Sequence, residues 1–177
     1  PSSMRPVVGE KRRRLYHCQV MGKAIHSSLA PLGCNAIEYA SRLICYINDL
    51  ARHTQQQGPF DSGYDIPFTT ITINVINGGI ATNIVPGSCE FIVELRYLHE
   101  FPILNFEQQI LNYIDSDLVP LMKKTYPDAA IHFEEHSDSS GFVASEDSQL
   151  NRIVRTVTGI NERYKVSFST EAEAYQS

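Results

Sequence analysis

Along this chain the spacing of apolar residues switches between two and 3.6 in a fixed order, and that order leaves few folds open. Over 15–21, Tyr16, Cys18 and Val20 alternate with His17 and Gln19, the pattern of a half-buried strand. From Asn35 to Ala51 the apolar set Ala36, Ile37, Ala40, Leu43, Ile44, Ile47, Leu50 and Ala51 falls at helical spacing. Period two returns over 69–77, with Ile71, Ile73 and Val75 expected inward, and again over 88–97, with Cys89, Phe91, Val93, Leu95 and Tyr97 inward. Asn105 is expected to cap a second helix, with Gln108 completing the capping box and Phe106, Ile110, Tyr113, Ile114 and Leu118 turned in. Pro120 should end or kink that helix. A last short strand is expected over 130–135, with Ile131 and Phe133 inward.

Strand, helix, strand, strand, helix, strand closes most simply as an α+β, ferredoxin-like βαββαβ two-layer sandwich with both helices on one sheet face. The alternation fits, because only one face of such a sheet is apolar. Beyond it, Ser137–Gly141 reads as a linker, Ser145 as the cap of a helix carrying Leu150, Ile153, Val154 and Val157, and Gly159 as its end. Residues 164–168 read as a strand, and 169–176 as a loop entering a helix. This tail has no place in a four-stranded sheet and is expected to belong to a second domain. The chain opens on Pro1-Ser2-Ser3 and stops at Ser177 inside a polar-apolar stretch, so the expectation is a piece of a longer protein.

Composition removes several classes. A net charge of −5 disfavours wholesale binding to nucleic acid or an anionic membrane. No apolar run approaches the roughly 20 residues of a membrane helix. The cysteines, Cys18, Cys34, Cys45 and Cys89, form no C-x-x-C pair, and three lie on expected core faces. Free buried thiols suit a reducing cytoplasm.

A sheet of this topology can bind single-stranded RNA through aromatics on its open face. Here that face offers His17, Thr70, Thr72, Asn74, Glu90 and Glu94, with no stacking rings. The run Lys11-Arg12-Arg13-Arg14 is expected to be solvated surface. Two other stretches are harder to dismiss. Gly22-Lys23-Ala24-Ile25-His26-Ser27-Ser28 sets a histidine just past a strand. Gly78-Gly79-Ile80-Ala81-Thr82-Asn83-Ile84-Val85-Pro86 is a polar loop too long for a tight hairpin, with Asn83 near its tip. From the residues alone, His26 could equally be a surface or capping residue, and the loop a connector. No H-e-x-x-H zinc motif and no G-x-S-x-G elbow is present.

These stretches resemble a known family. Gly22 to Ser28 with Leu32-Gly33-Cys34-Asn35-Ala36-Ile37, and Gly78-Gly79 through Pro86 with Cys89 and Glu94-Leu95-Arg96, are similar to the lid domain of the dinuclear-zinc deacylases. Pro1 to Val7 and Phe168-Ser169-Thr170-Glu171-Ala172 resemble the acetylornithine deacetylase branch. Glu10-Lys11-Arg12-Arg13 departs from the His-Lys-Gly stretch common there. The resemblance implies a metal-dependent amidohydrolase that turns N-acetyl-L-ornithine and water into L-ornithine and acetate. It leaves a desuccinylase or aminoacylase type as alternatives, and a non-enzymatic small-molecule-sensing module as a reading of another class. It further implies 1–14 as a catalytic-domain remnant, 15–137 as the lid and dimerisation domain, and 138–177 as a second catalytic-domain remnant.

In that family two zinc or cobalt ions, held by His, Asp and Glu, activate a water. The lid dimerises and lends a histidine to the partner's centre. Carried over, His26 is the catalytic histidine, its ring N–H stabilising the oxyanion; Asn83, Arg96, Thr170 and Glu171 bind substrate. For Arg96, pairing with Glu94 or Glu90 is an equal alternative; for Thr170 and Glu171, a structural loop role is. The metal ligands of the family fall outside this chain, so no catalytic metal and no hydrolysis are expected of it alone. A homodimer and an N-acyl amino acid substrate are the implied partners. One expectation goes further. The strand over 69–77 is a sheet edge with no charged residue or proline to guard it. With the first helix, it is expected to join two subunits, and Thr72→Lys to separate them.

Overall fold

The computed structural model describes residues 6–144, 149–162 and 164–169. Its strands are β1 Val7–Glu10, β2 Arg12–Met21, β3 Ile25–His26, β4 Thr70–Gly78, β5 Ile84–Val85, β6 Ser88–Tyr97, β7 Ala130–Ser139, β8 Phe142–Val143 and β9 Tyr164–Val166. Its α-helices are α1 Ala36–Gln57, α2 Ile103–Tyr113, α3 Val119–Lys123 and α4 Gln149–Thr158. Four strands form an antiparallel sheet in the order β4-β6-β2-β7, the order of the ferredoxin-like sandwich. The core lies between this sheet and the helices. Tyr16, Cys18 and Val20 of β2 and Phe91, Val93 and Leu95 of β6 meet Ala40, Leu43 and Ile47 of α1 and Phe106 and Ile110 of α2. β1 pairs with β8 and β9 in a separate three-stranded sheet, and β3 with β5 in a two-stranded one.

Asn35 caps α1, its side chain accepting from the amides of Ile37 and Glu38. The helix continues past the expected Ala51 to Gln57 and ends at Gly58, φ 80°. Ile37, expected inward, is exposed in the first turn. The second helix begins one turn earlier than Asn105 foretold. Pro102 is its N-cap, because a residue without an N–H is no loss where the first turn has no intrahelical acceptor to offer. Pro120 does not end the helical run. The backbone passes through a π turn over Ile114–Leu118, and Pro120 then sits in the first turn of α3, where its missing donor is again harmless.

Two strands depart from strict alternation. A register shift between Ile73 and Val75 makes Asn74 a bulge residue in β4. Beyond it Val75 pairs with Ile92 on the open face and Ile76 pairs with Phe91, so Val75 is not part of the inward stripe. In β7 a shift beside Tyr16 lets the strand run on to Ser139. Residues 137–139, expected as linker, are therefore sheet. β2 likewise starts at Arg12 rather than Leu15. In α4, Ile153 and Val157 are exposed. The expected cap Ser145 and the residues 1–5 lie outside the described residues.

The run Lys11–Arg14 is not solvated surface. Lys11 is fully buried and its Nζ donates to Phe68 O at 2.6 Å. Arg14 is held by three carboxylates: Asp138 at 2.8 Å, Glu107 at 2.7 Å and Glu135 at 3.1 Å. Lys11 and Arg12 are held by backbone carbonyls, while carboxylates on β6, β7 and α2 flank Arg13 and Arg14, so these cations pair rather than face water. No described helix is long and apolar enough to cross a membrane. The thiols of Cys18, Cys34 and Cys89 are buried and that of Cys45 is exposed, all four free.

Candidate functional site

The two stretches singled out by sequence meet. β3 pairs with β5, setting Ile25 opposite Val85 and His26 opposite Ile84, and the amide of Ser27 donates to Asn83 O at 2.8 Å. The loop after β4 is thus no free connector: its end is a strand that clamps the histidine turn. Gly22 makes this possible. Its amide donates to Gly87 O at 2.8 Å, and a Cβ there would stand 2.1 Å from Cys34 O. The backbone after β2 can fold under the N-terminus of α1 only because that Cβ is missing.

His26 occupies the cap position of a 3-10 turn over Ser27–Leu32. Its Nδ1 accepts the Ser28 amide at 3.3 Å and lies 2.8 Å from Ser28 Oγ. An Nδ1 committed as acceptor leaves the proton of the neutral ring on Nε2. The ring is exposed, as are the turn over residues 27–32 and the loop over residues 79–83 that ends at Asn83. The capping and the functional readings of His26 are therefore compatible, since the cap consumes one nitrogen and frees the other as a donor. Ser28, which sets the tautomer, was not singled out by sequence; a hydroxyl two residues after a histidine was its only signal.

Arg96 lies elsewhere. It is near the far end of β6, eight positions from Ser88 and so about 26 Å along the strand from the His26 end. There its Nη2 lies 2.8 Å from Glu94 Oε1, and its Nη1 donates to Ser169 Oγ at 2.9 Å. Glu94 also takes Arg13 Nε at 2.8 Å, and on its other oxygen Asn74 Nδ2 at 2.8 Å. Burial works to raise the Glu94 pKa, but the two guanidinium groups outweigh it and hold the carboxylate below its ordinary range. With two cations to one anion, this end of the open face keeps a net positive charge. The bulge at Asn74 delivers the amide to Glu94, a device no residue type announces. Thr170 and Glu171 lie outside the described residues, directly after Ser169 in the chain. The described members of the sequence-derived set thus split: His26 with Asn83 at one end of the sheet, and Arg96, bonded to Glu94 and Ser169, at the other. Among the described residues no group of three or more His, Cys, Asp or Glu side chains could hold a metal ion.

Comparison with known proteins gives these ends a family. Residues 8–121 match the family described as peptidase dimerisation domain, and the chain belongs to it. Within that class it is similar to the acetylornithine deacetylase of Myxococcus xanthus, with 32% identity over 97% of this chain and 43% of that protein. Its similarity to the acetylornithine deacetylase of Pectobacterium atrosepticum is 27% over the whole chain and 44% of that protein. The chain thus spans under half the length of these relatives. Its fold is that of an aminopeptidase of Bacillus cereus, with TM-score 0.61 and 20% identity over 90% of this chain and 38% of that one. It is likewise that of a hydantoinase/carbamoylase family amidase of Burkholderia ambifaria, with TM-score 0.65 and 15% identity over 93% and 37%.

Proposed function

We propose that this chain is the lid and dimerisation part of a metal-dependent amidohydrolase, and that the parent reaction is hydrolysis of N-acetyl-L-ornithine to L-ornithine and acetate in arginine biosynthesis. The observation that carries this reading is His26: an exposed imidazole, fixed by Ser28 so that Nε2 is left as an N–H donor, on a turn clamped to Asn83. Such a donor suits the oxyanion of an amide-hydrolysis intermediate, where removing one typically costs about 3–4 kcal/mol. The two acetylornithine deacetylase relatives support the substrate. A zinc or cobalt pair would be held by residues beyond this chain and would activate the attacking water; what this chain supplies is orientation and charge.

The two ends of the sheet divide that work. Arg96 presents a cation beside Ser169, suited to a substrate carboxylate; Thr170 and Glu171, the next residues in sequence, are proposed to bind substrate with it. His26 and Asn83 lie beyond the opposite end of β6, a strand whose span from Ser88 to Arg96 is about 26 Å, and on this reading they serve the centre of a second subunit. Joining subunits through the β4 edge and α1 fits the exposed apolar residues there: Val75 at 49%, Ile76 at 52%, and Ile80 at 85% exposed in the following loop. The protein acts in the cytoplasm, where its thiols stay reduced.

The test is His26→Ala in the full-length protein, assayed with N-acetyl-ornithine beside N-succinyl-diaminopimelate and other N-acyl amino acids. Turnover should fall about a hundredfold or more while KM changes little, with the acetyl-ornithine rate the highest. An effect confined to KM would remove the oxyanion role, and preference for another acyl group would move the assignment within the family.

A further inference from the structure

The chain passes twice between the four-stranded and three-stranded sheets, once through Lys11 and once through Ser140 and Gly141. The two passes touch. Gly141 has φ +56°, and a Cβ on it would lie 3.0 Å from Glu10 O, Lys11 C and Arg12 N. Two adjoining single-chain crossings are how a hinge is built, because few backbone bonds join the halves.

A third connection spans the same gap. Residues 58–69, between α1 and β4, fold on themselves through Asp61 N to Pro67 O at 2.7 Å and then reach β9. Tyr64 pairs in parallel with Lys165. Asp61 Oδ2 accepts from Lys165 Nζ at 2.5 Å, and Asp65 accepts from the Ser167 hydroxyl. Two ammonium groups approach the ring of Tyr64: Lys165 Nζ at 5.2 Å and Lys11 Nζ at 5.6 Å from its centroid. Lys11 is 0% exposed although it lies at the crossing itself. Its burial draws the ammonium pKa down to about 8, with Asp65 opposing the shift.

We propose that 58–69 is a latch: Asp61 and Tyr64, engaged by Lys165 and Lys11, fix the angle between the two sheets, and their release lets the four-stranded unit swing about Lys11 and Gly141. The bonds suit a reversible device. The Asp61–Lys165 pair is partly exposed, with side chains 28% and 19% accessible, so it is open to solvent and screening. Nothing in the latch belongs to either end of the proposed site, so the inference stands apart from the function.

The test uses this chain. Cys45 is the one exposed thiol of the four; with Val143→Cys on β8 it takes a second spin label, and pulsed electron resonance reads the distance between α1 and the small sheet. The parent should give one narrow distribution. Asp61→Asn, whose amide oxygen can still accept the Gly63 N–H, and Tyr64→Leu should each broaden it or add a second distance. Amide exchange over 61–66 should rise about tenfold, the scale of one lost charge-assisted bond. An unchanged distance distribution in both variants overturns the proposal, whether or not the loop amides lose protection. So does a fall in β2 and β6 protection alongside the broadening in both, which would make the segment a structural prop.

Discussion

The amide of Ser27 donates to the carbonyl of Asn83 at 2.8 Å, so the turn that carries His26 and the loop that ends at Asn83 are one rigid piece. The bond uses only backbone atoms of Asn83. Replacing its side chain therefore leaves the piece standing. In Asn83→Ala the melting temperature should be unchanged, as for most exposed substitutions, within about 0.5 kcal/mol. On the proposed reading, the kcat/KM of the full-length protein for N-acetyl-ornithine should nevertheless fall tenfold or more. Steady-state kinetics beside a thermal melt separates the two.

Gly22 offers the opposite case, a residue far from chemistry whose change breaks structure. Its missing Cβ is what lets Cys34 O approach to a distance no side chain tolerates. Gly22→Ala forces backbone apart and should destabilise the chain by at least about 2 kcal/mol, read by denaturant unfolding. The amide exchange of residues 23–34 should rise more than that of β2.

The edge formed by β4 ends in apolar residues that α1 does not cover. Val75→Lys places a charge on the open face of that edge, where the bulge has turned residue 75 outward. Light scattering should then find monomers, as it should for Thr72→Lys. A dimer persisting in both would place the subunit contact elsewhere.

Asp138 should contribute to acid sensitivity, together with Asp61, Asp65 and Glu94, which are also held below their ordinary range. Hydrogen bonds from Arg14, reinforced by its charge, hold the Asp138 carboxylate below the ordinary aspartate range against a smaller opposing effect of burial. A carboxyl whose folded pKa lies below its unfolded value, near 3.9, adds stability above that value and loses it as pH falls through the folded one. The melting temperature of the parent should thus hold above the ordinary aspartate range and drop as pH falls below it. Asp138→Asn, which can still accept from Tyr97 OH, should melt lower at pH 7 and show a shallower acid slope.

How much of this was legible depended on what each residue had to report. Period two placed Tyr16, Cys18 and Val20 and the whole of β6, because burial on one face is written in residue type. The helical stripe from Asn35 was legible for the same reason, but the cap of the second helix was not: Asn105 has the right side chain, and the chain turns at Pro102 instead. The bulge at Asn74 was not, since only pairing with β6 counts one residue too many. Nor was the burial of Lys11: its partner is a carbonyl 57 positions away in sequence, and a run of cations looks alike whether solvated or matched. The separation of His26 from Arg96 could have been read. Asn83 precedes β6 and Arg96 nearly ends it, so a strand length already stood between them.

That separation has a genetic consequence. If each centre borrows its imidazole from across the interface, a protomer damaged at His26 and one damaged at Arg96 are each inactive alone. Mixed together, they form hybrids in which one centre inherits both lesions and the other inherits neither. Co-expression of two dead alleles would then restore a share of the activity that neither allele encodes by itself.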